Sequence, residues 1–300
     1  MHGGVAGTAG DRLPMQICLR LCNDRLVSGA LELKRVVSLQ PSATVILHAL
    51  GKLDRVVACT KYCVDVCPDA AGSSRAVVTD SWNAHSNEIL AARPDLVIAS
   101  IPFQEKSLVE ILKSGARFLG LAPRTLDDIY LDIAAIAGIM NATEAGAALV
   151  SEMQSQILEV NSKVPKNLRP RVFCEEWGKP IIASQPWVAE LVGLAGGEFV
   201  GQPGAHYEPK EIATLNPEIL VSAWCGAGNR VPLEKIIDSR NWQQLSAVQS
   251  GRVFCVPDEF LNTPAPTLIR GLRALAAILH PQNFPQPDGV RSIYDNVSTL

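Results

Sequence analysis

Short apolar runs alternate with segments whose apolar positions recur every three or four residues, the period of an amphipathic helix. Arg35-Val-Val-Ser-Leu reads as a strand, and Gln40-Pro41-Ser42 as a turn. Ser42 or Thr44 then caps a helix to about Leu50, ended by Gly51. Residues 55–59, 96–100 and 117–121 read as further strands, with a helix over 105–114 closed by Gly115. Strands and helices in this alternation predict parallel βαβ units.

From 125 to 164 no strand pattern occurs. Ile129, Ile133, Ile136 and Met140 recur at helical spacing, as do Ala148, Leu149, Met153, Ile157 and Val160, and Asn141 separates the two helices. The second, over 143–162, spans about 30 Å at roughly 1.5 Å per residue, enough to bridge two lobes. The α/β alternation then resumes, with strands at 171–175, 219–223 and 252–256 and helices at 188–195, from 233, and at 266–279. The implied division is an extension (1–34), a first α/β lobe (35–123), backbone helices (124–165), a second α/β lobe (166–284) and a loose polar tail (285–300).

One unit occurs in each half. Asn87-Glu-Ile-Leu-Ala-Ala-Arg-Pro-Asp-Leu-Val-Ile-Ala-Ser100 matches Lys210-Glu-Ile-Ala-Thr-Leu-Asn-Pro-Glu-Ile-Leu-Val-Ser-Ala223. Glu88 and Glu211 each precede a proline by six residues, and an apolar strand follows. Placed on either side of the long helix, the units favour two related lobes over a generic helix–strand joint.

Composition narrows the functional classes. The formal net charge is −3, without a basic cluster of the density that nucleic acid requires. No apolar run reaches the roughly 18 residues of a membrane span. Arg20, Asn23, Asp24 and Arg25 interrupt the leader, which therefore reads as a short extra element in a cytoplasmic protein, a periplasmic location being the alternative. Of eight cysteines, Cys174 and Cys255 close apolar strands, as reduced, buried thiols would.

The blocks Arg35-Val-Val-Ser-Leu-Gln-Pro-Ser-Ala-Thr44, Ala92-Arg-Pro-Asp-Leu-Val-Ile98, Leu191-Val-Gly-Leu-Ala-Gly-Gly197, Leu215-Asn-Pro-Glu-Ile-Leu-Val221 and Gly251-Arg-Val-Phe-Cys-Val256 stand in an order that resembles the class III solute-binding proteins. These include the cobalamin- and siderophore-binding components of bacterial ABC importers. The resemblance covers roughly 35–282. It implies two Rossmann-like lobes on a rigid backbone helix, with a corrinoid, iron chelate or haem in the cleft. The chain looks nearest to a signal-less, cobalamin-binding subgroup, through Cys63…Pro68 and Trp224-Cys225-Gly226. It also implies that Glu88 and Glu211 dock an ABC importer permease. A plainer reading keeps each as an acid favoured in a helix's first turn.

Ligands of parallel α/β sheets sit beyond the carboxyl ends of strands. That rule selects Tyr62, Cys63 and Phe103 in the first half, and Glu176, Trp177, Trp224, Cys225 and Phe260 in the second. Trp82 is selected by its place before the repeat helix and by its match in cobalamin-binding relatives, and Trp187 lines the cleft or starts a helix. Aromatic residues are only 5% of the chain, and flat amphipathic side chains suit a planar macrocycle. Trp242 reads as packing. His85 and His206 stand beside Trp82 and Tyr207 near the mouth, as solvated loop histidines or as ligands to a chelated metal. Cys59-x3-Cys63-x3-Cys67 matches neither zinc nor iron–sulfur spacing. Sequences typical of acyl transfer, phosphate cradling and zinc hydrolysis are absent. The expectation is thus a non-enzymatic binder of a metal chelate, with no resident cofactor. The alternatives are a cytoplasmic metal carrier or thiol-dependent enzyme using Cys63 and Cys225, and a scaffold for a protein partner.

Overall fold

The computed structural model describes residues 33–72, 74–83, 85–101, 105–285 and 288–295. Lys34–Leu300 forms one compact unit. Its elements follow the chain as β1 (Val36–Ser38), α1 (Pro41–Ala49), β2 (Val56–Thr60), α2 (Lys61–Val66), β3 (Ala76–Val78), α3 (Ser86–Ala91), β4 (Leu96–Ser100), α4 (Glu105–Lys113) and β5 (Arg117–Leu121). Two helices come next, α5 (Leu126–Ile139) and α6 (Thr143–Lys163). The second half holds β6 (Arg171–Gly178), β7 (Ile181–Ala183), α7 (Pro186–Leu194), β8 (Glu198–Phe199), β9 (His206–Tyr207), α8 (Pro209–Leu215), β10 (Ile219–Ser222), α9 (Leu233–Arg240), α10 (Ser246–Gln249), β11 (Val253–Cys255), α11 (Asp258–Leu261), α12 (Leu268–Leu279) and β12 (Arg291–Ser292).

The first five strands form a wholly parallel sheet in the order β3-β2-β1-β4-β5. Chain order reverses at β1, the arrangement of a doubly wound lobe. Its central strands β1 and β4 are buried throughout because helices cover both faces, and Val37, Leu39, Ala58, Val97 and Ile111 pack one core. The second sheet runs β12-β11-β10-β6-β7-β9, with β8 beside β6. It is mixed: β6, β10, β11 and β8 pair in parallel, while β7, β9 and β12 are antiparallel. The hairpin β6–β7 escapes the sequence pattern because β7 is only three residues long. Arg291 and Ser292 pair with β11, so part of the stretch expected as a loose tail closes the sheet edge.

The repeated unit is repeated in its hydrogen bonds. Arg93 and Asn216 both adopt left-handed backbone (φ 47° and 43°) immediately before the prolines. The Asp95 carboxylate accepts from Lys34 N and Arg35 N at 2.9 and 3.1 Å, and that of Glu218 accepts from Arg171 N at 2.8 Å. Arg35 Nε donates to Arg93 O and Arg171 Nη1 to Asn216 O. The acid after each proline thus ties the start of one strand (β4, β10) to the start of its neighbour (β1, β6). This is a physical reason for the Pro-Asp/Glu pair in both halves.

Between the sheets, Thr125 and Asp128 form a capping box at the start of α5. Asn141, at φ 52°, reverses the chain into the 21-residue α6. Gly146 lets the two helices approach: a Cβ there would lie 2.4 Å from that of Ala137. Helix α5 packs on α1 of the first half, and α6 on α7 and α12 of the second. The joint is therefore a helix pair gripping one lobe with each member, and Leu126 N, donating to Glu190 Oε2 at 3.0 Å, adds a bond across it.

Candidate ligand-binding cleft

Chain segments that leave the strand ends build a cavity of about 390 Å³ between the lobes. Ile101 and residues 122–124 line it from the first half, Gln185, Pro186 and residues 202–205 from the second. A larger groove of about 540 Å³ lies between α5 and α6, lined by Leu131, Ala134, Ala147 and Val150, away from the strand ends.

On the first lobe, Tyr62 and Trp82 are exposed at the exits of β2 and β3. Trp82 sits in a loop held by Asp80, whose carboxylate accepts from Trp82 N at 3.0 Å, and by Ser107, whose hydroxyl donates to Trp82 O. Cys63 contrasts with the expected lining role. It is fully buried in the first turn of α2, where Thr60 caps the helix by accepting from Cys63 N. Thr60 Oγ1 also donates to Cys63 Sγ at 3.2 Å. Burial opposes ionisation of this thiol, but hydrogen bonds from Cys59, Thr44 and Thr60 outweigh it and bring it down to about 6. Cys59 is pushed far up by its hydrogen bond to Cys63 and by burial. Phe103 lies outside the described residues.

On the second lobe, Glu176 and Cys225 come together: Cys225 N donates to Glu176 O at 3.1 Å. Burial raises the Glu176 carboxyl to about 7, while Gln185, donating from Nε2 at 2.6 Å, acts against it. Cys225 is exposed, yet its crowded surroundings push its thiol up to about 12, and Glu176 and Asp258 add to the shift. Asn262 Nδ2 donates to its sulfur at 3.3 Å. Trp177 is exposed at the end of β6, its Nε1 donating to Lys179 O.

Two expected contacts belong instead to the lobe interior, and a third is half-covered. Trp187 is 4% exposed, and its indole donates to Leu261 O at 2.8 Å. Phe260 is buried under the Arg270 guanidinium, 4.0 Å from the ring centre. Trp224 is half-buried over Gly178 and donates to Glu175 Oε1 at 2.9 Å. A strand exit fixes which edge a residue occupies, not its depth, so position alone could not separate these from exposed residues such as Tyr62, Trp82 and Trp177, none of which lines the inter-lobe cavity.

Sequence reasoning missed Glu175. Its carboxylate is 2% exposed and takes both arms of Arg240, at 2.8 and 2.9 Å. Burial pushes its pKa up, with the Arg240 and Trp224 bonds opposing. Arg240 is further held by Gly178 O and by the ring of Trp242, 4.7 Å away. Trp242 is buried, as expected for a packing residue. The signal available was alternation, which turns one of two adjacent glutamates inward. The partner, 65 residues on, left no signal.

Glu88 accepts from both Thr79 N and Thr79 Oγ1 at 2.9 Å, and these bonds lower its pKa. Glu211 is exposed and closes a capping box on Glu208 N. Both fill the plainer, first-turn role. Among the described residues, His, Cys, Asp and Glu nowhere gather as a metal-holding trio, Cys59, Cys63 and Cys67 included, and no helix is long and apolar enough to cross a membrane.

The sequence profile of the periplasmic binding proteins matches residues 36–260. The chain belongs to that family. This periplasmic binding protein is 26% identical over 254 residues to the vitamin B12-binding protein of Vibrio cholerae serotype O1, covering 82% of this chain and 89% of that one. It is 25% identical over 268 residues to an uncharacterised ABC transporter substrate-binding lipoprotein of Bacillus subtilis, covering 85% and 82%. Its fold matches a periplasmic heme-binding protein from Pseudomonas aeruginosa, with a TM-score of 0.76 at 17% identity, over 87% and 98% of the two chains. A periplasmic binding protein is a binder rather than a catalyst, so the thiol-enzyme alternative gains no support. Cys63, which that alternative requires, is enclosed in the core of the first lobe. The expected cytoplasmic location likewise finds no support in the family, and the leader that suggested it lies outside the described residues.

Proposed function

We propose that the protein binds a corrinoid, or a closely related metal chelate, between its lobes and delivers it to an ABC importer permease outside the cytoplasm. The observation that carries this reading is the near end-to-end correspondence with a vitamin B12-binding protein. The two-lobed cavity and the exposed aromatics Tyr62, Trp82 and Trp177 at strand ends support it, since flat side chains offer a macrocycle large contact area at low entropic cost. In this proposal Tyr62, Trp82, Phe103, Glu176, Trp177 and Cys225 contact the ligand. The buried Cys63, Trp187 and Phe260, with Trp224, shape the walls behind them. Glu211 and the outer edge of Glu88 offer one carboxylate per lobe to the permease.

The test is titration with cyanocobalamin, dicyanocobinamide and haemin, followed by tryptophan fluorescence and calorimetry. Saturable binding of one of them well below ~100 μM is expected, a site weaker than about −5.5 kcal/mol being too poor to capture a scarce solute. Absence of binding to all three at that concentration overturns the proposal. Fractionation of cells expressing the full-length protein tests the location separately.

A further inference from the structure

We propose that the end of the cleft formed by Arg124, Gln185 and Gln202 binds an anionic oxyacid arm of the ligand, a phosphodiester or a carboxylate, with Arg124 as its counter-ion. The inference rests on the chelate-binding reading and adds the charge of the group recognised. Arg124 is the charged residue among those lining the inter-lobe cavity; the polar side chains it shares it with are two neutral carboxamides. Its backbone N–H is engaged by Asp128 Oδ2 at 2.9 Å, which fixes the chain at that point. The guanidinium is exposed and, among the described residues, has no hydrogen bond; the Asp128 carboxylate feels its charge, so an incoming anion would share it with Asp128.

The opposite wall supplies donors. Gln185 spends one Nε2 hydrogen on Glu176 and keeps a second. Gln202 lies on a segment anchored by Tyr207, whose hydroxyl accepts from Gln202 N. A guanidinium with five donors and two amide groups lining one cavity make a donor-rich pocket matched to an oxyanion, whose oxygens only accept. The guanidinium stands on the first lobe while the amides stand on the second, so an anion held there also bridges the lobes.

Arg124→Ala, Arg124→Gln and Arg124→Lys test this against three probes: cyanocobalamin, which carries a phosphodiester; haemin, which carries carboxylates; and dicyanocobinamide, which carries neither. Arg124 is exposed, so these variants keep the fold, checked by circular dichroism. Loss of the charge is expected to weaken the anionic probe that the wild type binds by about ten-fold or more, the scale of a hydrogen-bonded charge contact. Cobinamide should change less than two-fold. Arg124→Lys should recover part of the loss, and rising salt should weaken the wild type toward the Ala variant. Which anionic probe responds tells phosphodiester from carboxylate. Equal weakening of all three probes, or none, with wild-type binding intact, overturns the anion site alone. Failure of the wild type to bind any probe overturns the chelate reading and this inference with it.

Discussion

Replacing Arg240 by methionine removes two hydrogen bonds to Glu175, at 2.8 and 2.9 Å, and one to Gly178 O at 2.7 Å. The side chains are 8% and 2% exposed, so the abandoned carboxylate has no water to turn to. Breaking a buried pair by removing one partner costs about 3–5 kcal/mol, whereas replacing both partners with apolar residues is often close to neutral. The expectation is therefore a loss of about 3–5 kcal/mol for Arg240→Met, of order 10 °C in Tm for a unit of this size. Glu175→Met/Arg240→Met should regain most of it. Urea unfolding followed by circular dichroism measures both, and an unchanged m-value licenses the comparison. The sign with pH is also fixed. Without Arg240, the folded-state pKa of Glu175 rises further above its unfolded value. The folded state then binds the extra proton, and stability falls as pH rises between the two values. The variant should thus lose more at pH 8 than at pH 5. A loss below about 1 kcal/mol, or a double variant no better than the single one, would refute the assignment of this pair as the electrostatic keystone of the second lobe.

Three further outcomes are expected. Glu176, held near 7 against an ordinary value of 4.5, loses stability for the fold as pH rises from about 4.5 to 7; Glu176→Gln should match the wild type near pH 4 and exceed it by about 1 kcal/mol at pH 8, and parallel urea curves at both pH values would contradict this. Gly178→Ala drives a Cβ to 2.1 Å from the Trp224 ring and should cost about 1–3 kcal/mol, with a shifted tryptophan emission that Trp224→Leu abolishes. Trp187→Phe strands the buried Leu261 carbonyl and should cost about 1–2 kcal/mol while leaving chelate affinity within two-fold. A large affinity loss there would return Trp187 to the list of ligand contacts.

What could be read without coordinates was whatever depends on local pattern. Residues 96–100 and 117–121 form strands with the bounds expected, the first as a buried, largely apolar run entered through Pro-Asp, the second as a short segment set off by Gly115. The repeat around Glu88 and Glu211 carried its structural meaning in the chain: a left-handed residue, a proline and an acid that ties two strand starts. Strand β3 was not legible, since two of its three residues are exposed and no period of two develops. Helix α2 was not legible either, because six residues are too few for a 3.6-residue period.

The chain by itself thus determined two related α/β halves and the helix pair joining them, both consequences of periodicity and backbone preference. Tertiary structure alone decided depth and partnership. It sank Cys63, Trp187 and Phe260 into cores, left Tyr62, Trp82 and Trp177 exposed, joined Glu175 to Arg240, and brought Arg124, Gln185 and Gln202 to the lining of one cavity. Burial and pairing arise from segments far apart in sequence meeting in space, and no local pattern encodes which segment will lie across the gap.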